Sequence, residues 1–232
     1  MRILNRKIWT TINLAYEAYQ SFPDLDNLEI VTSVSTNTGV DYFIAKKNDT
    51  YFLSFAGTND WKNLVSDMRF WQKSIPYNNK QTTIRLHRGF YEAYLTVRKD
   101  ILDFVEKNNV KKIILTGHSF GAAMATLCAV DIQYNIFGVK IEVFTYGSPR
   151  IGNKAFAKSF NRRIPKAFKI KNGNDFISNL PFKFLNYSHI GKEIHIGDKK
   201  KIWKISFKDH KCKNYLISVI KLLPWSERGR DV

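Results

Sequence analysis

The 232 residues predict an α/β fold in which a mostly parallel central sheet is covered by helices on both faces. Short β-rich runs alternate with longer segments of helical periodicity along the chain. A composition that is 44% hydrophobic and 14% aromatic can fill one sizeable core, and no repeat or linker-like stretch divides the sequence. We therefore expect residues 1–232 to form a single domain.

The first half of the chain predicts a helix, three strands and a second helix. Residues 7–20 are expected to be helical because apolar and aromatic side chains recur there at helical spacing. The segments that follow are the β-rich runs and one long helical segment: Glu29–Ser35, Val40–Ala45, Tyr51–Phe55 and Gly89–Glu106.

The second half continues the alternation. Lys112–Thr116 predicts a buried strand because its apolar run is too compact for a helix and is bounded by Gly117. Ser119–Gln133, rich in Ala, Met and Leu, predicts a helix. The remaining strands are expected at Val139–Tyr146, Ala167–Lys171, Tyr187–Ile196 and Lys201–Phe207. The remaining helices are expected at Asn153–Phe160 and Tyr215–Leu223.

The formal charge of +17 is concentrated in one part of the chain. Residues 140–232 hold 21 of the 37 Lys and Arg but only 7 of the 20 Asp and Glu, a net +14. Such a density, which includes Lys199, Lys200 and Lys201, favours an anionic membrane surface as a partner, with a solvated basic face as the alternative. A nucleic-acid partner is not expected, because no known nucleic-acid-binding motif is present.

Cysteine usage and the amino terminus bound the compartment. Cys128 and Cys212 lack the spacing of a zinc site or a disulfide framework, so we expect neither a metal nor a cofactor. The sequence turns polar at Asn5, and no apolar stretch has the length of a signal core or a membrane span. These features predict an intracellular protein that is peripheral on a membrane at most.

The segment Gly117–Gly121, Gly-His-Ser-Phe-Gly, matches the pattern G-x-S-x-G. A predicted buried strand ends just before it and a predicted helix of small residues begins just after it, which is the context of a nucleophile elbow. The glycines allow the sharp turn, and the amino terminus of the helix offers backbone donors to a developing oxyanion. The pattern therefore predicts an α/β-hydrolase fold with Ser119 as nucleophile, against an ordinary strand–loop–helix turn that contains serine.

A serine nucleophile needs a base and an orienting acid, and in this fold both follow it in the chain, the acid first. Asp175 is the best acid on position, because it follows the predicted strand Ala167–Lys171 through a short turn at the same sheet edge as the elbow. The other carboxylates considered lie inside elements, beside the lysine run or later in the chain: Asp131, Glu142, Glu193, Asp198 and Asp209.

Three histidines come late enough to be the base. His210 lies in the loop after the last predicted strand, from which a side chain can reach the elbow, and it is the first choice. His189 and His195 lie in a predicted strand, where an imidazole is more often packed or exposed. They remain the second and third choices.

Several blocks of sequence occur in an order shared by one known family: Phe55–Thr58, Trp61–Asp67, His87–Phe90, Gly117–Ala122, Tyr146–Asn153, Asn174–Asp175, Tyr187–Glu193 and Asp209–His210. Over residues 40–215 the chain resembles the class 3 lipases, the group of the secreted fungal triacylglycerol lipases. The Tyr146–Asn153 block matches the family's Y-G-x-P-R-[VI]-G-N closely. The resemblance implies a serine carboxylic-ester hydrolase acting on lipid esters.

Carried over residue by residue, the resemblance implies a catalytic triad of Ser119, His210 and Asp175. It further implies an oxyanion hole made by the backbone amides of Phe120 and Thr58, to which the Thr58 hydroxyl adds a donor. It makes His189 structural. One departure is Ala56, which stands where the family has arginine, and another is the single proline, Pro181, where the family has two.

The segment Asp60–Trp71 predicts an amphipathic helix, with Trp61, Leu64, Val65 and Met68 on one face. The resemblance implies a lid over the active site; the alternative is a helix packed permanently on the core. The expected function is cleavage of acyl esters of glycerolipids. The alternatives are a phospholipase acting on membrane phospholipids and a catalytically inactive basic lipid-binding protein on the same scaffold.

Overall fold

The computed structural model describes residues 2–20, 23, 27–58, 72–74, 82–198 and 206–223. Three sequence-based expectations fall outside these ranges: the amphipathic helix within Asp60–Trp71, most of the predicted strand Lys201–Phe207, and the lysine run at 199–201.

The described residues form a seven-stranded sheet and a separate two-stranded ribbon. In chain order the strands are β1 (Glu29–Val34), β2 (Tyr42–Lys47), β3 (Thr50–Phe55), β4 (Gln72–Ser74), β5 (Arg85–His87), β6 (Lys112–His118), β7 (Lys140–Tyr146), β8 (Ala167–Asn172) and β9 (Lys192–Ile196). The sheet order is β1-β2-β3-β6-β7-β8-β9, and β4 pairs with β5. In the seven-stranded sheet β1, β2 and β3 pair antiparallel, whereas the pairs β3–β6, β6–β7, β7–β8 and β8–β9 are parallel.

Five α-helices in the described residues cover the two faces of the sheet: α1 (Arg2–Glu17), α2 (Arg88–Lys107), α3 (Phe120–Asn135), α4 (Lys154–Arg163) and α5 (Cys212–Leu222). One buried cluster joins the sheet to α2, α3 and α4, and a second joins the opposite face to α1 and α5. The predicted α/β architecture, with a mostly parallel sheet between two helical layers, is confirmed. Within the described residues no helix combines the length and apolar character that crossing a bilayer requires.

Some element boundaries differ from those predicted. The strand predicted over Tyr187–Ile196 begins only at Lys192, because Gly191 turns the chain with a φ of +69°. There Ser188 pairs with Gly152 instead of with a sheet strand. The first helix ends at Glu17, so Tyr19 lies beyond it. The short ribbon of β4 and β5 was not predicted.

The carboxyl edge of the parallel strands gathers the residues singled out from the sequence. The chain leaves β3 at Ala56, β6 at Ser119 and β8 at Gly173, and adjacent parallel strands end at a common edge. Thr58, Ser119 and Asp175 are thereby carried to one rim of the sheet. The chain returns there a last time at His210, just before α5.

Candidate active site

Ser119 lies on a sharp turn between β6 and α3. Its backbone has φ 56° and ψ −119°, a positive-φ conformation that is strained for any residue other than glycine. A Cβ on Gly117 would lie 2.5 Å from the backbone of Gly121, and a Cβ on Gly121 would collide with the carbonyl oxygen of Phe55. The turn is therefore possible only with glycine at both positions, and it presents Ser119 at the sheet edge, as a nucleophile elbow does.

The three side chains selected from the sequence form one hydrogen-bonded chain. His210 Nε2 lies 2.8 Å from Ser119 Oγ, and His210 Nδ1 lies 2.9 Å from Asp175 Oδ2. All three residues are buried, with Ser119 only 2% exposed. Since a carboxylate can only accept, Nδ1 carries the proton donated to Asp175, which leaves Nε2 as the acceptor for the hydroxyl proton of Ser119.

Asp175 is held by donors on both carboxylate oxygens. Oδ1 accepts from the amide of Ile177 at 2.9 Å, while Oδ2 accepts from the hydroxyls of Ser178 at 2.8 Å and Tyr215 at 2.5 Å. Burial alone would raise the pKa of the Asp175 carboxyl, but the charge of His210 and the donors from His210, Tyr215 and Ser178 outweigh it and hold the pKa below its usual value. Asp175 is therefore a fixed anion facing the imidazole.

A second histidine supports the backbone of His210. His118 Nε2 lies 2.6 Å from the carbonyl oxygen of His210, and its Nδ1 lies 2.7 Å from the hydroxyl of Tyr19. Burial, aided by the charge of His210, lowers the pKa of His118 to about 3, so the ring is neutral. A carbonyl oxygen only accepts, so Nε2 carries the proton and the Tyr19 hydroxyl donates to Nδ1. Both ring nitrogens of His118 are therefore used to hold Tyr19 and the backbone of His210 in place.

The close packing of two other turns shapes the same rim. Gly147 has a φ of +60°, and a Cβ there would lie 3.0 Å from His210 Cε1 and 3.1 Å from Asp175 Oδ2. A Cβ on Gly57 would lie 2.8 Å from the carbonyl oxygen of His118 and would collide with the Tyr19 hydroxyl. The segment that carries Thr58 is thus pressed against the elbow.

The two positions implied for the oxyanion hole lie at the same edge of the sheet as Ser119. Phe120 is the first residue of α3, directly after the serine, and Thr58 follows β3 on the neighbouring strand. A cleft of about 320 Å³ is bordered by Thr58, His118 and His210 together with residues of α1 and α5. Thr58 therefore lines one cleft with His210, and Phe120 directly follows Ser119.

The structure gives the rejected carboxylates other tasks. Asp131 on α3 pairs with Arg98 at 2.8 Å, and Glu142 on β7 pairs with Lys7 at 2.6 Å. Asp209 Oδ2 accepts from the amide of Asn174 at 3.0 Å and so ties the loop of His210 to that of Asp175.

The alternative bases are not brought to Ser119. Burial, followed by the charges of Lys169, Arg150, Lys171 and Lys183, lowers the pKa of His189 to about 2, and no hydrogen bond links it to the serine. His195 lies within β9, the edge strand of the sheet, and no hydrogen bond joins it to Ser119. Of the three candidates in the described part of the chain, only His210 contacts both Ser119 and Asp175.

Sequence reasoning missed the residues that position the acid and the base. Ser178, Tyr215 and Tyr19 belong to no sequence motif, and Tyr215 counts toward the apolar periodicity of α5.

Cys128 and Cys212 are buried free thiols. Among the described residues no group of His, Cys, Asp and Glu could hold a metal ion.

An elbow serine joined to a histidine and an aspartate at the carboxyl edge of a mostly parallel sheet defines the α/β-hydrolases. The sequence model of the family described as Lipase (class 3) matches residues 52–185, more than half of the chain. The chain therefore belongs to the class 3 lipase family.

Known proteins agree with this assignment. A secreted mono- and diacylglycerol lipase of Malassezia globosa is 37% identical over 54% of this chain and 44% of its own length. One from Fusarium solani is 30% identical over 74% of this chain and 53% of its own. A solved triacylglycerol lipase, whose catalytic centre is formed by a serine protease triad, shows 25% identity and a TM-score of 0.72, covering 84% of this chain and 80% of its own.

This chain spans about half the length of the curated relatives it matches. Both are named as secreted proteins, which contradicts the intracellular location predicted from the amino terminus. The secreted relatives overturn that prediction, because the residues of a folded domain do not by themselves report its compartment.

Proposed function

We propose that this protein is a serine carboxylic-ester hydrolase that cleaves acyl esters of glycerolipids through an acyl-enzyme intermediate. The observation that carries the proposal is the continuous hydrogen-bonded chain from Ser119 through His210 to the fixed anion Asp175. A hydroxyl is a poor nucleophile near neutral pH, and this arrangement supplies the base that it needs. Membership of the class 3 lipase family supports the same reaction class.

In the proposed acylation step Ser119 Oγ forms a bond to the ester carbonyl carbon while His210 Nε2 takes the hydroxyl proton. The carbonyl oxygen becomes an oxyanion, which the backbone amides of Phe120 and Thr58 stabilise. The bond from the carbonyl carbon to the alkoxy oxygen then breaks, and His210 returns the proton to the leaving alcohol. In deacylation His210 takes a proton from a water molecule, whose oxygen forms a bond to the acyl carbon. The bond from that carbon to Ser119 Oγ then breaks, His210 returns the proton to Ser119, and the fatty acid is released.

The surroundings of His210 suit this proton transfer. Asp175 stabilises the imidazolium electrostatically without taking its proton, since its pKa lies below the usual carboxyl range. The neutral ring of His118 holds the carbonyl oxygen of His210 and adds no charge that would oppose the imidazolium. Ester hydrolysis at neutral pH therefore requires no metal or cofactor in this proposal.

The lipid class of the substrate is inferred from the relatives and from the charge. The relatives from Malassezia globosa and Fusarium solani are named for mono- and diacylglycerols, which makes neutral partial glycerides the first substrates to test. The net +14 of residues 140–232 would concentrate the enzyme on anionic lipid surfaces.

The test is hydrolysis of a panel of mono-, di- and triacylglycerols and phospholipids by the wild type, Ser119→Ala and Ser54→Ala. Ser54 is a buried serine of β3 whose hydroxyl donates to the carbonyl oxygen of Leu14, so it controls for the loss of a buried hydroxyl. We expect glyceride hydrolysis by the wild type and Ser54→Ala, and almost none by Ser119→Ala. Release of fatty acid from phospholipids alone would assign the protein to the phospholipases. Binding of lipid without hydrolysis by the wild type would leave an inactive lipid-binding protein.

A further inference from the structure

A patch of aromatic side chains follows the triad acid on the carboxyl side of the sheet. It consists of Phe176, Phe182, Phe184 and Phe207, and we call it the aromatic patch. Phe176 is half-buried and contacts both Phe182 and Phe207 edge-on, with ring centroids 6.2 and 5.5 Å apart. Phe182 and Phe184 stack at 5.3 Å. The aromatic patch therefore begins at Phe176, the residue after Asp175, and extends from there to the exposed rings.

The outer rings of the aromatic patch face solvent. Phe184 is 81% exposed, Phe207 45% and Phe182 37%. Exposed phenyl rings are costly in water, and these three, which Phe176 joins into one cluster, form a surface suited to an apolar environment. Because Phe182 and Phe184 stack, their exposed faces form one continuous apolar surface.

Polar side chains, among them the buried Arg150, hold the segment beneath these rings. Arg150 donates to the carbonyl oxygens of Asn179 and Pro181, and Lys171 donates to the Asn179 side chain at 2.9 Å. On the other side, Gln72 donates to the carbonyl oxygen of Asn186 at 2.9 Å. The exposed rings are therefore carried by an anchored segment, which reduces the entropy lost when they bind.

Among the described residues that adjoin these rings in sequence, the exposed charged side chains are lysines. Lys183 stands between the two stacked rings in sequence and Lys208 follows Phe207, and both are exposed. Residues 176–186 contain no Asp or Glu. Of the nearest carboxylates, Asp175 is buried and Asp209 accepts from a backbone amide. Aromatic rings interleaved with lysines are typical of surfaces that bind at the boundary between headgroups and acyl chains.

We infer that the aromatic patch, with Lys183 and Lys208, docks this protein onto an anionic lipid surface and brings the carboxyl edge of the sheet, which carries the triad, toward it. The inference rests on the proposed function for its choice of partner. A second copy of the chain fits the patch less well, because a two-fold contact would set lysines against lysines. An acidic protein would satisfy the lysines but would leave the convergence of rings and triad on one edge without a purpose.

The experiment is sedimentation with vesicles of phosphatidylcholine, with and without phosphatidylserine. All proteins carry Ser119→Ala so that binding is measured without hydrolysis. The test variants are Phe184→Ser and Phe182→Ser together, and Lys183→Gln. The chain offers matched controls at the opposite sheet edge: Phe137, which is 101% exposed in the loop between α3 and β7, and the exposed Lys140 at the start of β7.

We expect the double Phe variant to bind about tenfold more weakly, because each ring loses apolar burial at the interface. Lys183→Gln should weaken binding about fivefold on anionic vesicles and leave binding to neutral vesicles unchanged. Phe137→Ser and Lys140→Gln should bind as the parent does. Equal binding by test and control variants would overturn the inference, as would a wild-type dimer that the patch variants abolish while vesicle binding persists.

A second readout separates this inference from the proposed function. In proteins that keep Ser119, the patch variants should hydrolyse a soluble short-chain ester like the wild type but hydrolyse vesicle-borne glyceride more slowly. Vesicle binding that depends on the patch, in a wild type that hydrolyses no ester, would uphold the docking surface and refute the enzyme. Loss of soluble-ester hydrolysis in the patch variants would show that these rings act on the site itself and would overturn the inference.

Discussion

Replacement of Tyr215 by phenylalanine tests whether the donors to Asp175 serve the reaction or only the fold. The Tyr215 hydroxyl lies 2.5 Å from Asp175 Oδ2, and both residues are fully buried. A hydrogen bond to a charged group contributes about 1.5–3 kcal/mol. The substitution removes only the hydroxyl, so the ring can keep its contacts with His118 at 5.4 Å and Tyr146 at 6.2 Å.

We expect Tyr215→Phe to lower the free energy of unfolding by about 2 kcal/mol. The pKa of Asp175 should rise toward its usual value, because one of the donors that holds it down is lost. Asp175 keeps its bonds to His210, Ser178 and the amide of Ile177, so the carboxylate stays close to its place. We therefore expect only part of the lost hydrogen-bond energy to appear as weaker stabilisation of the His210 imidazolium in the transition state. A loss of about 1.4 kcal/mol there corresponds to about a tenfold lower kcat.

Urea denaturation and turnover of a soluble short-chain ester measure the two effects. Tyr146→Phe is the matched control, because Tyr146 is equally buried but its hydroxyl lies 2.8 Å from the neutral carbonyl oxygen of Ile8 and 2.7 Å from Thr11 Oγ1. That variant should lose about 1 kcal/mol of stability and keep its kcat. A Tyr215→Phe enzyme that turns over as fast as Tyr146→Phe would refute a positioning role for this hydroxyl.

Three further predictions follow from other contacts. Gly147→Ala places a methyl group 3.0 Å from His210 Cε1 and should lower kcat at least about tenfold, whereas Gly138→Ala, also at positive φ but with open space around its Cβ, should cost about 1 kcal/mol of stability and no activity. His210→Ala should abolish most esterase activity in a folded protein while His189→Gln retains it; the reverse pattern in the same ester assay would make His189 the base. Burial alone would raise the pKa of Glu142, but the ion pairs with Lys7 and Lys166 outweigh it and lower the pKa, so the stabilisation is present above the unfolded pKa and is lost as the pH falls. Glu142→Gln should therefore lower the free energy of unfolding, measured in urea, by about 2 kcal/mol at neutral pH and by less toward pH 4. The exposed Glu92→Gln should change it little, and a loss in Glu142→Gln that does not depend on pH would contradict this account.

The architecture could be predicted because local pattern and global fold agree. The compact apolar run at Lys112–Thr116, followed by a helix of small residues, fixed both the buried strand and the elbow. Boundaries were harder to predict, since side chains serve more than one purpose. Tyr19 fits the periodicity of the first helix but lies past its end, where its hydroxyl contacts His118. In Tyr187–Ile196 the alternation continues through Gly191, and a positive φ at that glycine delays the strand.

The three residues of the proposed triad, which the structure joins by hydrogen bonds, could be selected from chain order and loop position, but the residues that support them could not. Tyr215 lies 40 residues from Asp175 in sequence and looks like an ordinary apolar position of α5. Ser178 is closer, yet a serine three residues after an aspartate is common and has no distinctive pattern. Only the fold brings α5 and the loop after β8 together, so their hydrogen bonds depend on tertiary contacts that no local pattern reports.

The proposed catalytic role of Ser119 is tested most directly by labelling with a fluorophosphonate and locating the adduct by peptide mass. A serine activated by His210 and Asp175 should react in stoichiometric amount, and the label should lie on the peptide of Ser119 and not on those of Ser148 or Ser178, which serve as internal controls on the same sheet edge. His210→Ala should lose the reaction, because the hydroxyl then has no base. An unlabelled wild-type protein, or a label on another serine, would contradict the assignment of this site as the active centre of a serine hydrolase.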